Sequence, residues 1–246
     1  MTPEQTASPE FMRTIYFDYQ KRYALAMRES DRALVSLMTP ALTEGGARGA
    51  RLLDIGCFNG NLLRHLRKIA PKIEYWGGDI QSEVIERCRL DPDLSGIRFE
   101  LMRVQDLSAW PSFDIIVANA VLLRFSAEEF ESICLEISKA LNPSGYFFAW
   151  DYYHQFDQNI TVIDRSPWHP EGLMLHMRST KDTKEILHRS GFVGVEFIPF
   201  EISIDLPMPE GPSDVRTYTR STLDGSRLQF RGAIYQPWCH LIARKA

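Results

Sequence analysis

Residues 52–66 read LLDIGCFNGNLLRHL. An apolar run carrying Asp54 leads into a loop bounded by Gly56 and Gly60, and Leu62, Leu63 and Leu66 then recur at helical spacing. A strand, a glycine loop and a helix in this order put backbone amides at the carboxyl edge of a parallel sheet, where α/β proteins bind ligands. Two familiar ligands do not suit the loop. A dinucleotide needs a second glycine so that the pyrophosphate can approach the backbone, and Phe58 occupies that position. A phosphate loop ends in Gly-Lys-Ser/Thr, whereas this one ends Gly60-Asn61-Leu62. A nucleoside without phosphates remains.

Outward from that unit the chain alternates. RLLDIG, KIEYWGGDI, IRFELMRV, FDIIVANA and YFFAWD read as strands, with helices after the first, second and fourth. The helix after FDIIVANA opens with Ser126 and Glu129 at capping-box spacing. Strands with near-continuous apolar runs belong to a parallel sheet covered on both faces. Later segments add a helix over Thr180–Ser190, a strand at VGVEFIPFEI, a hairpin turning at Asp224-Gly225, and a final strand in IYQPWCHLIARKA. The expected fold is therefore α/β: a doubly wound, mostly parallel seven-stranded sheet. An N-terminal helical cover precedes it, and a β-hairpin insertion lies near its C-terminus. The cover comprises a helix starting at Ser8-Pro9 and running to Ser30, then a second from Asp31 to Leu42 that EGGARGA breaks. Residues 152–176 show no clear period. No linker divides the chain, so residues 1–246 read as one domain. In it, residues 1–45 form a lid, 50–151 the cofactor-binding half, and 152–178 and 205–232 the acceptor-site insertions.

Composition narrows the function. The 246 residues are 44% hydrophobic and carry a net charge of −4, so the basic footprint of a nucleic-acid binder is missing. No apolar run reaches membrane-spanning length, and MTPEQTASPE lacks the pattern of a secretory signal. Cys57, Cys88, Cys134 and Cys239 are scattered without metal-ligand spacing, as expected of reduced thiols in the cytoplasm, and no metal site is expected.

Groups suited to a nucleoside follow successive strands. Asp79 ends the second strand and can accept hydrogen bonds from ribose hydroxyls, and Ile80 beside it can pack on an adenine face. Asp106 and Leu107 follow the third strand, where a carboxylate can accept from an adenine amino group. Asn119 follows the fourth, near the reactive end of such a ligand. These residues resemble the motifs of class I S-adenosylmethionine-dependent methyltransferases. The first motif of that family is similar to Asp54-Ile55-Gly56-Cys57-Phe58-Asn59-Gly60, with Phe58 where a glycine is common. FDIIVANAVLLRF resembles the segment after strand four, with Arg124 where a histidine is frequent. HRSGFVGVEF resembles the helix-Gly-Phe-strand passage. The resemblance covers about residues 50–200 and the last strand. It implies adenosylmethionine as cofactor and a site built from Asp54, Gly56, Cys57, Asn59, Gly60, Asp79, Ile80, Gln105, Asp106, Leu107, Asn119, Ala120 and Arg124. In resembling enzymes the segment before the first strand covers the cofactor. Tyr19 and Arg22, spaced to share a helix face, are candidates for that contact.

The insertions resemble those that build acceptor pockets in small-molecule methyltransferases. Tyr152, Tyr153, Arg178, Tyr218, Arg231 and Trp238 are the candidate acceptor-binding residues, with Trp168 and His169 nearby. His154, just past strand five, is the candidate general base, with Asp151 to orient it or replace it, and His240 reads as a core histidine. Methyl transfer to a small molecule, at a hydroxyl oxygen, is the expected reaction. N-methylation, a non-catalytic adenosylmethionine-binding partner subunit and a macromolecular acceptor stay open as alternatives. The oligomeric state also stays open, a homodimer included. Neither a nucleic acid nor a membrane is expected as a partner.

Overall fold

The computed structural model describes residues 22–166 and 169–246. In chain order the elements are α1 (Glu29–Arg48), β1 (Arg51–Ile55), α2 (Asn61–Ile69), β2 (Glu74–Asp79), α3 (Ser82–Leu90), β3 (Arg98–Leu101), β4 (Phe113–Asn119), α4 (Ala127–Ala140), β5 (Leu141–His154), β6 (Ile160–Ser166), β7 (His169–Ser179), α5 (Thr180–Arg189), β8 (Phe192–Pro199), β9 (Thr217–Ser221), β10 (Arg227–Arg231), β11 (Ile234–Tyr235) and β12 (Trp238–Lys245).

The main sheet runs β3-β2-β1-β4-β5-β12-β8. Its first five strands are parallel, and β12 is antiparallel to both neighbours. This is the expected mostly parallel, seven-stranded sheet. Strand order reverses between β1 and β4, and a ligand crevice opens at such a switch point. Both faces are covered. Leu52, Val117 and Phe148 pack with Leu34, Val35 and Met38 of α1. Leu53, Ile116 and Phe147 pack with Phe130, Ile133 and Ile137 of α4. Burial on both faces explains why these strands read as unbroken apolar runs. The capping box at Ser126 and Glu129 is present, with both reciprocal hydrogen bonds made.

The N-terminal cover differs from expectation. Residues 22–25 form a turn and 26–28 an irregular lead-in rather than the end of a helix, and the helix that follows continues through Pro40 and EGGAR to Arg48. Gly45 allows this because it faces the start of β1, where an added Cβ would stand 3.0 Å from that of Ala50. The helix stops at Gly49, in the left-handed region at φ 70°. The part of the expected first helix before residue 22 lies outside the described residues.

The aperiodic stretch after strand five is also ordered. β5 overruns the sheet edge, and β6 and β7 form an antiparallel hairpin beside the overrun, joined through Tyr153↔Arg178 and His154↔Ser179. Ile160 and Val162, alternate residues of β6, pack with Leu175 and Met177 of β7 and Tyr152 of β5 in a small separate core. The hairpin expected near the C-terminus is β9–β10, with Gly225 at φ 85° in its loop. Its sheet gains a third strand, β11, because IYQPW breaks at Pro237 instead of running into β12.

Candidate active site

The glycine loop is clamped to β2 by backbone. The amides of Gly56 and Cys57 both donate to the Gly78 carbonyl, at 2.7 and 3.0 Å. The Phe58 amide donates to Asp79 Oδ2 at 3.1 Å, and Gln81 N–H donates to Oδ1 at 3.0 Å. Each Asp79 oxygen keeps a second lone pair for a ligand hydroxyl. Gly56 and Gly60 sit at φ 68° and 69°. A Cβ on Gly56 would lie 2.6 Å from Val121 Cγ2, in the loop after β4. The glycine is thus required by the fold itself, and a valine there would not simply fill ligand space in an intact protein. Phe58 takes φ 44°, a conformation unfavourable to a side chain. Cys57 is buried, and burial followed by the Asp54 charge pushes its thiol well above the usual range, so it is no nucleophile. Asn59 is half-buried in the loop.

A residue with no signal in the sequence completes this edge. Asp31, in the first turn of α1, is 0% exposed. Arg28 grips it with two hydrogen bonds of 2.8 Å, and Asn119 Nδ2 donates to its Oδ1 at 2.9 Å. Asn119 Oδ1 is buried with no partner. Asp54 is buried beneath, and burial, then Asp31 and Asp79, push its carboxyl well above the usual range against the pull of Arg28. Asp31 and Asp54 share the Arg28 guanidinium here, with Asp79 close enough to act on Asp54, an acidic cluster suited to a cation. Neighbouring Ala120 takes φ 59° and donates its amide to the Trp150 carbonyl at 2.7 Å.

The nucleoside side is more open. Ile80 is 71% exposed beside Asp79, so an apolar surface awaits a planar partner. Asp106 is exposed, in a turn over Val104–Ala109, with Arg103 Nε at 3.8 Å, and Gln105 is half-buried. The Leu107 side chain does not belong to this surface, because it is fully buried in the core with Phe113 and Phe130. Arg22 and Arg124 are exposed, the latter at the end of a turn over Leu122–Arg124. Tyr19 lies outside the described residues. The exposed Ile80, the spare lone pairs of Asp79 and the acidic cluster near Asn119 together fit a cationic nucleoside.

Beyond β5, strand alternation sorts the acceptor candidates. Trp150 and Tyr152 face the α1 side, whereas Asp151 and Tyr153 face the α4 side. Asp151 is 0% exposed and accepts from the amides of Leu123 at 2.9 Å and Tyr152 at 3.0 Å. Burial raises its pKa to about 7 despite nearby Arg178 and these donors. It supports the turn after β4, and its oxygens do not reach the cleft as a base would. Tyr153 packs on Phe197 in the main core, at 5.3 Å between ring centroids. Arg178 donates to the Phe125 carbonyl and lies 4.3 Å over the Phe130 ring. Tyr218 stacks on Phe230 and donates to the Gly232 carbonyl at 3.0 Å, inside the three-stranded sheet. Tyr153, Arg178 and Tyr218 are therefore structural side chains, a correction that face and partner impose.

Tyr152, Arg231 and Trp238 do converge. Gln236 Nε2 donates to the Tyr152 hydroxyl at 2.5 Å, and Arg231 pairs with Asp164 of β6. Trp238 stacks on Trp150 at 3.7 Å, tilted by 4°. The edge of Phe200 meets Trp150 at 5.6 Å and the ring of His240 at 5.5 Å. His240 is 2% exposed, and burial lowers its pKa to about 4, as suits the core role read from sequence. His169 is half-buried, its pKa lowered by burial and then by Arg231. Trp168 lies outside the described residues. His154 is half-buried, and desolvation lowers its pKa against a backbone hydrogen bond at Phe156, so it is neutral at pH 7. Trp150, Phe200, Gln236 and Asp164 escaped the sequence reading. Only the alternation in ITVIDRS offered a signal, for the strand that carries Asp164. Among the described residues, no group of three or more His, Cys, Asp or Glu side chains could hold a metal ion.

Comparison with known proteins gives one family match and several distant relatives. The model of a methyltransferase domain family matches residues 47–204. A fatty-acid O-methyltransferase of Mycolicibacterium smegmatis is 26% identical over 129 residues, covering 52% of this chain and 47% of that protein. A malonyl-[acyl-carrier protein] O-methyltransferase of Bacillus cereus is 24% identical over 99 residues, covering 40% and 36%. The chain thus spans about half or less of those two relatives. Among solved structures, a 1,6-didemethyltoxoflavin-N1-methyltransferase of Burkholderia thailandensis, with its substrate and S-adenosylhomocysteine bound, has a TM-score of 0.61 at 15% identity, covering 100% of this chain and 91% of that one. A magnesium protoporphyrin IX methyltransferase of Synechocystis with bound adenosylmethionine has a TM-score of 0.54 at 14% identity, covering 89% and 80%. At these identities the structural matches speak for the fold.

Proposed function

The chain belongs to the methyltransferase domain family, in the class I adenosylmethionine-dependent fold, and we propose that it methylates a small organic acceptor at a hydroxyl oxygen. One observation carries this reading. At the switch point, Asp79 lies beside the exposed Ile80, a pairing that suits a nucleoside, while Asp31 and Asp54 form an acidic cluster beside Asn119 that suits a cation. Bound adenosylmethionine supplies a methyl group on a sulfonium, whose departure leaves a neutral thioether. Asp79 accepts the ribose hydroxyls and Ile80 covers the adenine. Asp106 accepts from the adenine amino group, and Asp31 and Asp54 hold the cationic end.

Because the leaving group needs no proton, alignment of the acceptor supplies most of the rate. A hydroxyl acceptor must lose its proton, and neutral His154 remains the candidate base. It stands four residues past Trp150, roughly 13 Å along an extended strand, so it serves only an acceptor that reaches the root of the β6–β7 hairpin. Oxygen is favoured as the acceptor atom because the fatty-acid and malonyl-carrier-protein relatives are both O-methyltransferases. The toxoflavin enzyme, an N1-methyltransferase, keeps nitrogen as the second reading. No helix among the described residues is long and apolar enough to cross a membrane, and we place the protein in the cytoplasm. The test is transfer of a labelled methyl group to a panel of hydroxylated and aminated small molecules. Labelled oxygen ethers or esters are expected. Cofactor binding without turnover on any acceptor would instead favour a non-catalytic partner subunit. His154→Ala should lower turnover on a hydroxyl acceptor by roughly 10²–10⁴-fold if the imidazole is the base, and unchanged turnover would leave alignment alone.

A further inference from the structure

We infer that the acceptor is a planar, uncharged arene bearing a hydroxyl or amino hydrogen, seated on an aromatic shelf made by Trp150, Tyr152, Phe200 and Trp238. The inference rests on the methyltransferase reading and names the class of molecule that the site takes. Register fixes the shelf's place. Asn119, the last residue of β4, lies directly across from Trp150 of β5, which in turn faces His240 of β12. Adjacent strands are about 4.8 Å apart, so the shelf begins one strand to the side of the switch point.

Its walls are aromatic: Trp150 and Tyr152 form a buried base, 7% and 3% exposed, and the half-buried Phe200 and Trp238 form the rim that a ligand meets. Trp238 is stacked on Trp150 and meets Tyr152 at 4.3 Å, and Phe200 stands edge-on to Trp150. Flat rings of this kind favour a flat partner, by stacking or edge contact. Two ties brace the shelf: Gln236 on the Tyr152 hydroxyl, and Arg231 of one insertion on Asp164 of the other.

The polar groups specify the rest. An ionised carboxylate only accepts hydrogen bonds, so Asp31 must face the NH₂ of Asn119, which leaves Oδ1 as a fixed acceptor. That oxygen and Trp150 Nε1 are both buried without a partner. An arene with a hydroxyl or amino hydrogen can donate to Asn119 Oδ1. Charge weighs against a carboxylic acid on the shelf. Arg231 is already paired with Asp164, and Arg178 is turned to the opposite face of the sheet, so neither guanidinium is open to a carboxylate on the shelf.

The test is isothermal titration of the protein saturated with S-adenosylhomocysteine, using 2-naphthol, naphthalene and dodecanoate as probes. 2-Naphthol is expected to bind at least tenfold more tightly than dodecanoate. Trp238→Ala should weaken 2-naphthol at least tenfold without changing S-adenosylhomocysteine affinity. Asn119→Ala should remove the advantage of 2-naphthol over naphthalene, which keeps the test decisive if the tryptophan variant folds poorly. Tighter binding of dodecanoate, no binding of 2-naphthol, or an unaltered advantage in Asn119→Ala would overturn the inference. Failure of the protein to bind S-adenosylhomocysteine at all would instead strike the methyltransferase reading beneath it.

Discussion

At the carboxyl ends of β1 and β2 the polar groups are held largely by backbone of two adjacent strand-loop units, Phe58 and Asp79 standing 21 positions apart. Asp79 accepts the amides of Gln81 and Phe58, and the glycine loop hangs on the Gly78 carbonyl. Beyond β5 the polar groups are held by side chains from distant segments. Arg231 meets Asp164 across 67 positions, and Gln236 meets Tyr152 across 84. The first region is a chain conformation that happens to cradle a ligand. The second is an assembly of separate insertions whose contents are free to vary while the sheet beneath stays intact. On this view, changes at the first edge strike the fold, and changes in the second strike the cover and its cargo.

The largest effect that can break the contrast is expected at Gly56. Gly56→Val forces a branched side chain into the left-handed region and against Val121, which should cost about 4 kcal/mol in strain and overpacking. Urea denaturation reads this directly. A variant as stable as the wild type would mean that the loop does not hold the described conformation.

Next comes acid. His240 is buried and neutral in the fold, with a pKa of about 4, against about 6.5 in the unfolded chain. Its depressed value makes the unfolded state bind the proton first. The stabilisation is therefore fully present above pH 6.5 and is lost as pH falls toward 4. The difference amounts to a few kcal/mol at most, on the order of 3. Asp151, raised to about 7, works in the opposite sense, since its contribution is lost as pH rises through that value. Comparing thermal midpoints of the wild type and His240→Phe from pH 7 to 4 isolates the histidine. The gap should shift against the wild type on acidification, and parallel curves would show that the ring is not held neutral.

A smaller effect belongs to the cover. Arg231→Met leaves the buried Asp164 without its partner and should cost about 2 kcal/mol, partly restored in the double variant with Asp164→Asn. Strict additivity of the two changes would deny that the insertions are coupled through this pair.

The same contrast explains what could be read from the chain. Alternating apolar runs, the glycine loop and the aspartates after each strand are local signals, and they led to the sheet and to Asp79. Asp31 was invisible because its meaning lies in Asn119, 88 positions away, and nothing in RESD announces that contact. Asp151, Tyr153 and Arg178 carry the right chemistry near the right strand end. Which face each side chain takes depends on how far β5 continues, and its overrun to His154 was hidden among Tyr, His, Pro and Trp residues without a period. Gly45 and Gly46 misled for the opposite reason. Packing of Gly45 against Ala50, just before β1, overrode the weak helix propensity of the pair.

The central claim is that the switch point binds adenosylmethionine through Asp79, and isothermal titration tests it most directly. The protein should bind adenosylmethionine and S-adenosylhomocysteine but not NADH. Asp79→Ala should weaken both ligands by roughly 1.5–3 kcal/mol, the worth of hydrogen bonds to a charged group. Tight binding of NADH with no heat from adenosylmethionine, or an Asp79→Ala protein with wild-type affinity, would contradict the account.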